Sequence, residues 1–431
     1  MKKRFIIAPS MLLLIALLFP LVSANKIETP KLPTPVQPKL ASVDFFKNPI
    51  SDKQKELLAT AVEQYFNKAL QQNKIIGAGV SIVKCDSVIY LEGFGKKNAS
   101  LNDKVDPETI FRIGSVSKGF AGVLSGIYVE EGLLNWDDKV HDYVSNFELA
   151  NKKWSDSVTL SHILSHSSGL PYHSFTNLVE DGIDLSTIAG QFRSIRTIDK
   201  PGKIYSYQNA VFALSGSMIE KISGKSYGDA IAEKIFDPLQ MNSASTDYHS
   251  LQTATNVAMP HRKYGRRWRS LKLNKKYYNA IPAGGVNASV TDMAKWMRFL
   301  LGHNPGVMST QGLKNVFNPV INLPGKSKYY QKWKGHTESQ YAHGWRIHDF
   351  KDKKTGESTR MIHHGGHVNS YRSEIALFPQ EDLGITILFN SPTKLARTVI
   401  PDLHKIIKKV MEMPVDELLA TTNISDNKNE I

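Results

Sequence analysis

Strand-like patterns lie near both ends of this chain, and the long stretch between them is mostly helical in pattern. Near the start, "GAGVSIVKCDSVIYLEGFGKK" reads as a β-hairpin turning near Asp86. It follows a helix that Ser51 can cap, with Leu57, Leu58, Ala61, Val62, Tyr65, Phe66, Ala69 and Leu70 at helical spacing. Near the end come "AHGWRIHDF", "TRMIHHGG", "SYRSEIALFP" and "LGITILFN", then a helix from about Lys394 to Met411. The middle, from about Ser115 to Leu301, holds helical stretches such as "SVSKGFAGVLSGIYVEEG", "NAVFALSGSMIEKISG" and "SVTDMAKWMRFLLG". Strands this far apart are most simply joined in one sheet. The expected fold is therefore α+β: a mainly antiparallel sheet, flanked by the N- and C-terminal helices, with a mostly helical subdomain inserted. One catalytic-size domain, residues 51–412, accommodates all of it.

That domain has to hold together by its core. Cys85 is the only cysteine among 431 residues, so no intrachain disulfide can form, and its place in "SIVKCDSVIY" suggests a strand end. Residues 1–24 have a basic start, an apolar run from Phe5 to Leu21 and a small-residue ending, Val22-Ser23-Ala24. This is the pattern of a signal peptide, so the expectation is export to the periplasm. An uncleaved anchor in the inner membrane is the alternative. Residues 25–50 are proline-spaced and read as a linker; residues 413–431 read as a polar tail.

The net charge of +14 is partly local. "HRKYGRRWRSLKLNKKYY", residues 261–278, packs cations among aromatics, either as a solvated loop or as a contact surface for an anionic envelope polymer. With an export signal ahead of it, nucleic acid is not the expected partner.

Chemistry enters at "FRIGSVSKGF". Gly114 permits a sharp turn, Ser115 then opens a helix, and Lys118 falls one turn on along the same face. The spacing alone means little, because Ser-x-x-Lys also begins at Ser23, Ser81, Ser391 and Ser425. The setting matters more: a hydroxyl at a helix start, with an amine that an apolar helix would bury and hold below its ordinary pKa. A second segment, "PGKIYSYQNAVFALSG", puts Tyr207 and Asn209 just before a helix. Beside a cation Tyr207 could lose its proton and serve as general base, and Asn209 could hold the lysine or a substrate carbonyl. In a third, "HHGGHVNSYRSEIALF", Gly365 and Gly366 would let a substrate backbone approach a sheet edge. The amides of Ser115 and His367 could there form an oxyanion hole.

Ser115-Val116-Ser117-Lys118, Tyr207-Gln208-Asn209 and His364-Gly365-Gly366, in this order, resemble the three boxes of the class C β-lactamase and DD-carboxypeptidase family. "VTLSHILSHSSGLP" and "PAGGVNASVTDMAKWMRFLLG" add to the likeness, which runs from about Ser51 to Met411. The resemblance implies a serine hydrolase working through an acyl-enzyme on β-lactams or D-Ala-D-Ala-type peptidoglycan peptides, without a cofactor. Ser115 would be the nucleophile, Lys118 and Tyr207 would manage its proton, and Asn209, His364, Gly365, Gly366 and His367 would bind substrate. Many class C β-lactamases have Lys-Thr-Gly in the third box. Histidine there resembles DD-carboxypeptidases and esterase-like relatives, so an esterase or D-amino-acid peptidase is a rival reading. A non-catalytic envelope-binding protein is another, although binding alone has no chemical need for Ser115, Lys118 and Tyr207 together. His162 and His166 are four apart, but no glutamate follows His162, and no Asp or Glu lies close in sequence to His363, His364 and His367. No metal site is expected from either group.

Overall fold

The computed structural model describes residues 50–413. The leader, the tail from residue 414, and all but the last residue of the proline-spaced linker lie outside the described residues. Twelve strands are present among them. They are β1 (Gly77–Lys84), β2 (Ser87–Gly95), β3 (Phe111–Arg112), β4 (His261–Tyr264), β5 (Arg267–Ser270) and β6 (Asn287–Ala288). The rest are β7 (Ile321–Asn322), β8 (His336–Tyr341), β9 (Arg346–Lys351), β10 (Ser358–Val368), β11 (Tyr371–Phe378) and β12 (Leu383–Phe389). Eight of them form one antiparallel sheet in the order β2-β1-β12-β11-β10-β9-β8-β7. The N-terminal hairpin is thus stitched to the C-terminal strands along β1 and β12, with Ala78 opposite Phe389 and Ile82 opposite Ile385. The sheet is assembled from both ends of the chain, as the patterns suggested.

Five longer helices dress the sheet: α1 (Asp52–Gln71), α2 (Ser117–Glu130), α3 (Ala210–Ser223), α4 (Val290–Leu300) and α5 (Val399–Met411). Ser51 and Gln54 cap α1 reciprocally, Ser51 Oγ accepting from the Gln54 amide and Gln54 Oε1 from the Ser51 amide. Leu58, Val62, Phe66 and Ala69 of α1 face inward and pack with Leu403, Ile407 and Val410 of α5 against one side of the sheet. Tyr65 donates to Asp402 across the two helices at 2.7 Å. The strands serve both sides because their side chains alternate. Ile385 and Ile387 belong to this core, whereas Leu388 belongs to a second, larger core. That second core holds α2, α3 and α4, the helical insertion.

Two local details differ from expectation. Cys85 is not a strand end: with Asp86 it forms the turn of the first hairpin, both at positive φ (47° and 60°). Two residues in that region give the turn that matches strand twist. The segment 261–278 is also not wholly a loop, since β4 and β5 pair as a separate hairpin.

Both cores are built of almost fully buried side chains, so truncation should be costly. Phe66 is fully buried and stacks on Phe94 at 4.8 Å. Phe66→Ala is expected to lower unfolding free energy by about 3–5 kcal/mol in urea titrations. A loss under about 1 kcal/mol would mean that α1 does not pack on the sheet as described.

Candidate active site

The short strand β3, paired to β6, delivers the chain to a single 3-10 turn, Gly114–Val116, which runs into α2. Gly114 has φ of +54°, and a Cβ there would stand 2.9 Å from the His367 amide nitrogen. Glycine is needed on both counts. The turn presents Ser115, half-buried, beside the backbone of β10. Lys118 follows one turn later, fully buried. Its helix lies hard against the β8–β9 turn, where a Cβ on Gly119 would come within 2.3 Å of Trp345.

The amine of Lys118 has defined partners. It donates to Asn209 Oδ1 at 2.8 Å and to the Ala283 carbonyl at 2.7 Å, and it stands 3.4 Å from Ser115 Oγ. Burial, and secondly the positive charge of Arg346, hold its pKa well below the ordinary lysine value. A neutral amine has two N–H donors and one lone pair. Both donors are taken, which leaves the lone pair for the Ser115 hydroxyl.

Tyr207 completes the group. Its hydroxyl donates to Ser115 Oγ at 2.9 Å, and its ring lies under the lysine, 4.8 Å from Nζ to the ring centre. The expectation that a neighbouring cation would make Tyr207 a ready base is corrected here. Burial dominates and pushes the phenol up to about 12, against the opposing effect of Arg346. The phenol is therefore a proton donor in the resting site.

The position of Asn209 follows from its neighbours. It stands at the N-cap of α3, takes the lysine on Oδ1 and donates from Nδ2 to Tyr277 Oη at 3.2 Å. Tyr277 lies in the cationic segment and has φ of +70°. Arg112, three residues before Ser115 and almost fully buried, fixes that stretch. It donates to the carbonyls of Asn274 and Lys276 and lies over the Tyr278 ring. Sequence reading passed over Arg112 and Tyr277, because their partners are far away along the chain.

The third segment behaves differently from expectation. In a strand, neighbouring side chains point to opposite faces, so the three histidines do not form one cluster. His363 pairs with buried Glu374 at 2.8 Å, which also receives Arg372 and Tyr329; His367 is exposed. His364 is fully buried between Tyr341 Oη, 2.8 Å from Nε2, and its neighbouring carbonyl, Gly365 O. Burial, with Arg346 and Lys118 adding to it, keeps its pKa well below 6.5. A neutral, occupied ring cannot hold a carboxylate by charge. The space the glycines leave is also taken by the protein itself. A Cβ on Gly366 would meet the Ile113 carbonyl at 2.0 Å, and one on Gly365 the Tyr329 hydroxyl at 2.7 Å. The same approach does set the His367 backbone beside Gly114, next to the Ser115 amide.

His162 and His166 serve the backbone. His162 Nδ1 accepts from the Thr159 amide, and His166 Nδ1 from the Gln208 amide, with the His166 ring 4.1 Å from that of Tyr207. His166 thus buttresses the Tyr207–Asn209 segment. Among the described residues no group of three or more His, Cys, Asp or Glu could hold a metal ion.

Arg346 is the residue that no sequence pattern marked. It opens β9 beside His363, with its guanidinium 5.0 Å from the Tyr330 ring centre and 6.0 Å from those of Tyr207 and Tyr341. Burial alone would weaken its hold on the proton, but the tyrosine hydroxyls around it keep it firmly charged. It makes no ion pair or side-chain hydrogen bond among the described residues, and its buried Nε has no partner.

Known proteins resemble this chain in sequence and in fold. The chain is 25% identical over 353 residues to an unguisins hydrolase of Aspergillus campestris, matching 77% of this chain and 62% of that protein. It is 25% identical over 346 residues to protein flp of Staphylococcus aureus, matching 78% of this chain and 64% of that one. The chain therefore spans less than two thirds of the length of these curated relatives. An octameric penicillin-binding protein homologue from Pyrococcus abyssi superimposes with a TM-score of 0.68 at 27% identity, over 80% of this chain and 77% of its own. The Beta-lactamase family model matches residues 62–405, and the chain belongs to that family, within the superfamily of serine β-lactamases and penicillin-binding proteins.

Proposed function

We propose that this protein is an exported serine hydrolase of the class C type that works through an acyl-enzyme. The observation that carries the reading is Ser115 Oγ set between a buried, neutral-leaning Lys118 and the Tyr207 hydroxyl. Ser115 attacks the substrate carbonyl as Lys118 takes its proton onto the free lone pair. The amides of Ser115 and His367 receive the developing oxyanion. Tyr207, neutral at the start, hands its proton to the leaving group and recovers one by way of Lys118. Water then attacks the acyl carbonyl by the reverse proton route and frees Ser115.

For substrates we favour acyl donors with a free carboxylate, namely β-lactams or D-Ala-D-Ala-type peptides. Support comes from Arg346, whose unpaired guanidinium supplies the fork that His364 does not. The esterase reading differs only in the acyl donor. That one relative is named as an unguisins hydrolase is the reason for keeping an acyl donor other than a β-lactam as the second reading. The leader of residues 1–24 underlies the proposal of export.

Incubation with a fluorescent penicillin is expected to label the wild type covalently and to leave Ser115→Ala unlabelled, read by intact mass. An adduct of equal yield on Ser115→Ala would refute Ser115 as nucleophile, and no adduct with any β-lactam or activated ester would favour the non-catalytic reading.

Arg346→Gln should lower kcat/KM for a carboxylate-bearing substrate by about 10–100-fold relative to its neutral ester, the worth of one charge-assisted contact. Equal loss on both substrates would assign Arg346 to structure alone.

The pH dependence has a definite sign. The base must be unprotonated, so kcat/KM for a neutral ester should rise as pH climbs through the lowered pKa of Lys118. It should then stay level into the alkaline range, because Tyr207 keeps its proton until about pH 12. Activity that falls through pH 8–10 would point to a protonated lysine as the working form. Lys118→Arg, permanently charged, should be inactive across the range.

A further inference from the structure

The hairpin β4–β5 makes little sense as a stabilising element. Its register sets Arg262 opposite Arg269 and Tyr264 opposite Arg267, so these four side chains share one face. Arg266 stands in the turn beside Gly265, and all five are exposed. Like charges directly across a strand pair destabilise it. There is no acidic residue from position 261 to 278 to offset them. None of the four arginine side chains makes an ion pair or a hydrogen bond among the described residues; Arg269 only lies over the Tyr264 ring at 5.3 Å.

The opposite face is tied down firmly. His261 is buried, its backbone amide donating to Asn390 O and its ring lying between Ser270 and the Ala99 amide. Lys263 donates to the Asn73 carbonyl, and Asn73 donates to Arg266 O, both at 2.7 Å. A pinned hairpin that keeps three arginines on one flat face, at a cost to its own stability, is built to meet something anionic.

We infer that the exposed face of Arg262, Tyr264, Arg267 and Arg269, with Arg266 at its end, docks a phosphate-bearing polymer. Guanidinium forks match phosphate oxygens in pairs. Arginines across and along the hairpin stand about 5–7 Å apart, close enough for neighbouring forks to hold separate anionic groups of one chain. A bilayer fits less well, because the turn carries Gly265 and Arg266 rather than an apolar side chain for insertion. Beyond β5 the chain runs on through Leu271 and Lys275 to Tyr277, which accepts from Asn209. The proposal concerns docking alone and stands whether or not the acyl chemistry is as proposed.

The test uses the purified protein and end-labelled long-chain inorganic polyphosphate in fluorescence anisotropy across a salt series. Wild-type affinity should fall steeply with salt. R262Q/R267Q/R269Q should bind at least about tenfold more weakly at low salt, with the log–log salt slope reduced by roughly one per arginine. A control, K152Q/K153Q/K394Q, removes the same charge from exposed positions elsewhere and should bind like wild type. The hairpin variant should melt no lower than wild type and should hydrolyse a small neutral ester at the wild-type rate. Equal weakening in both triple variants would reduce the effect to net charge and overturn the proposal. So would unchanged binding by the hairpin variant, or arginine-dependent binding to phosphatidylglycerol vesicles without polyphosphate binding.

Discussion

The structure turns on one buried amine. Lys118 sits inside the protein with its two neutral-state donors given to Asn209 and Ala283, and with Ser115 in front of its remaining lone pair. Desolvation makes the charged form costly, which is what gives a lysine the chemistry of a base near neutral pH. Much of the fold can be understood as keeping that amine dry and aimed. Helix α2 closes on Trp345 because Gly119 leaves room, and α3 starts where it does so that Asn209 reaches the amine. The turn around Ala283 offers its carbonyl from a third direction. The sheet supplies the rigid wall, with β10 against the Ser115 turn.

Two basic groups, only one of them charged, set the site's electrostatics. Arg346 stays charged among tyrosine rings and, by its charge, makes a second positive group on Lys118 or His364 unfavourable. The site thus keeps one permanent cation for binding and one neutral amine for proton transfer. Tyr207 is held protonated by the same burial, and His166 backs it without carrying charge of its own. Division of labour between neighbouring groups with opposed pKa shifts is a general sign of acid–base chemistry.

What the sequence made legible was whatever depends on local pattern. Period-two and helical repeats placed the sheet ends and the inserted helices, and Gly114-Ser115 with Lys118 one turn on exposed the core of the site. What stayed hidden depends on partners distant along the chain. His364 read as a substrate-binding residue because its burial against Tyr341 cannot be seen in "HHGGH". Arg346 looked like a strand residue because the lack of an acidic partner is a fact of space. Gly365 and Gly366 read as room for substrate, while the room belongs to Tyr329 and Ile113. The hairpin does turn at Asp86 as expected, but Cys85 read as a strand end because Cys-Asp is not a common turn pair.

The central claim is that Lys118 is unprotonated in the resting enzyme, and its protonation state can be read directly. Protein with 13C-labelled lysine ε-carbons, compared with Lys118→Met to assign the resonance, would be titrated by NMR. The account predicts that the Lys118 signal titrates alone, well below the common lysine range near 10.5. A Lys118 signal that moves together with the surface lysines would contradict it.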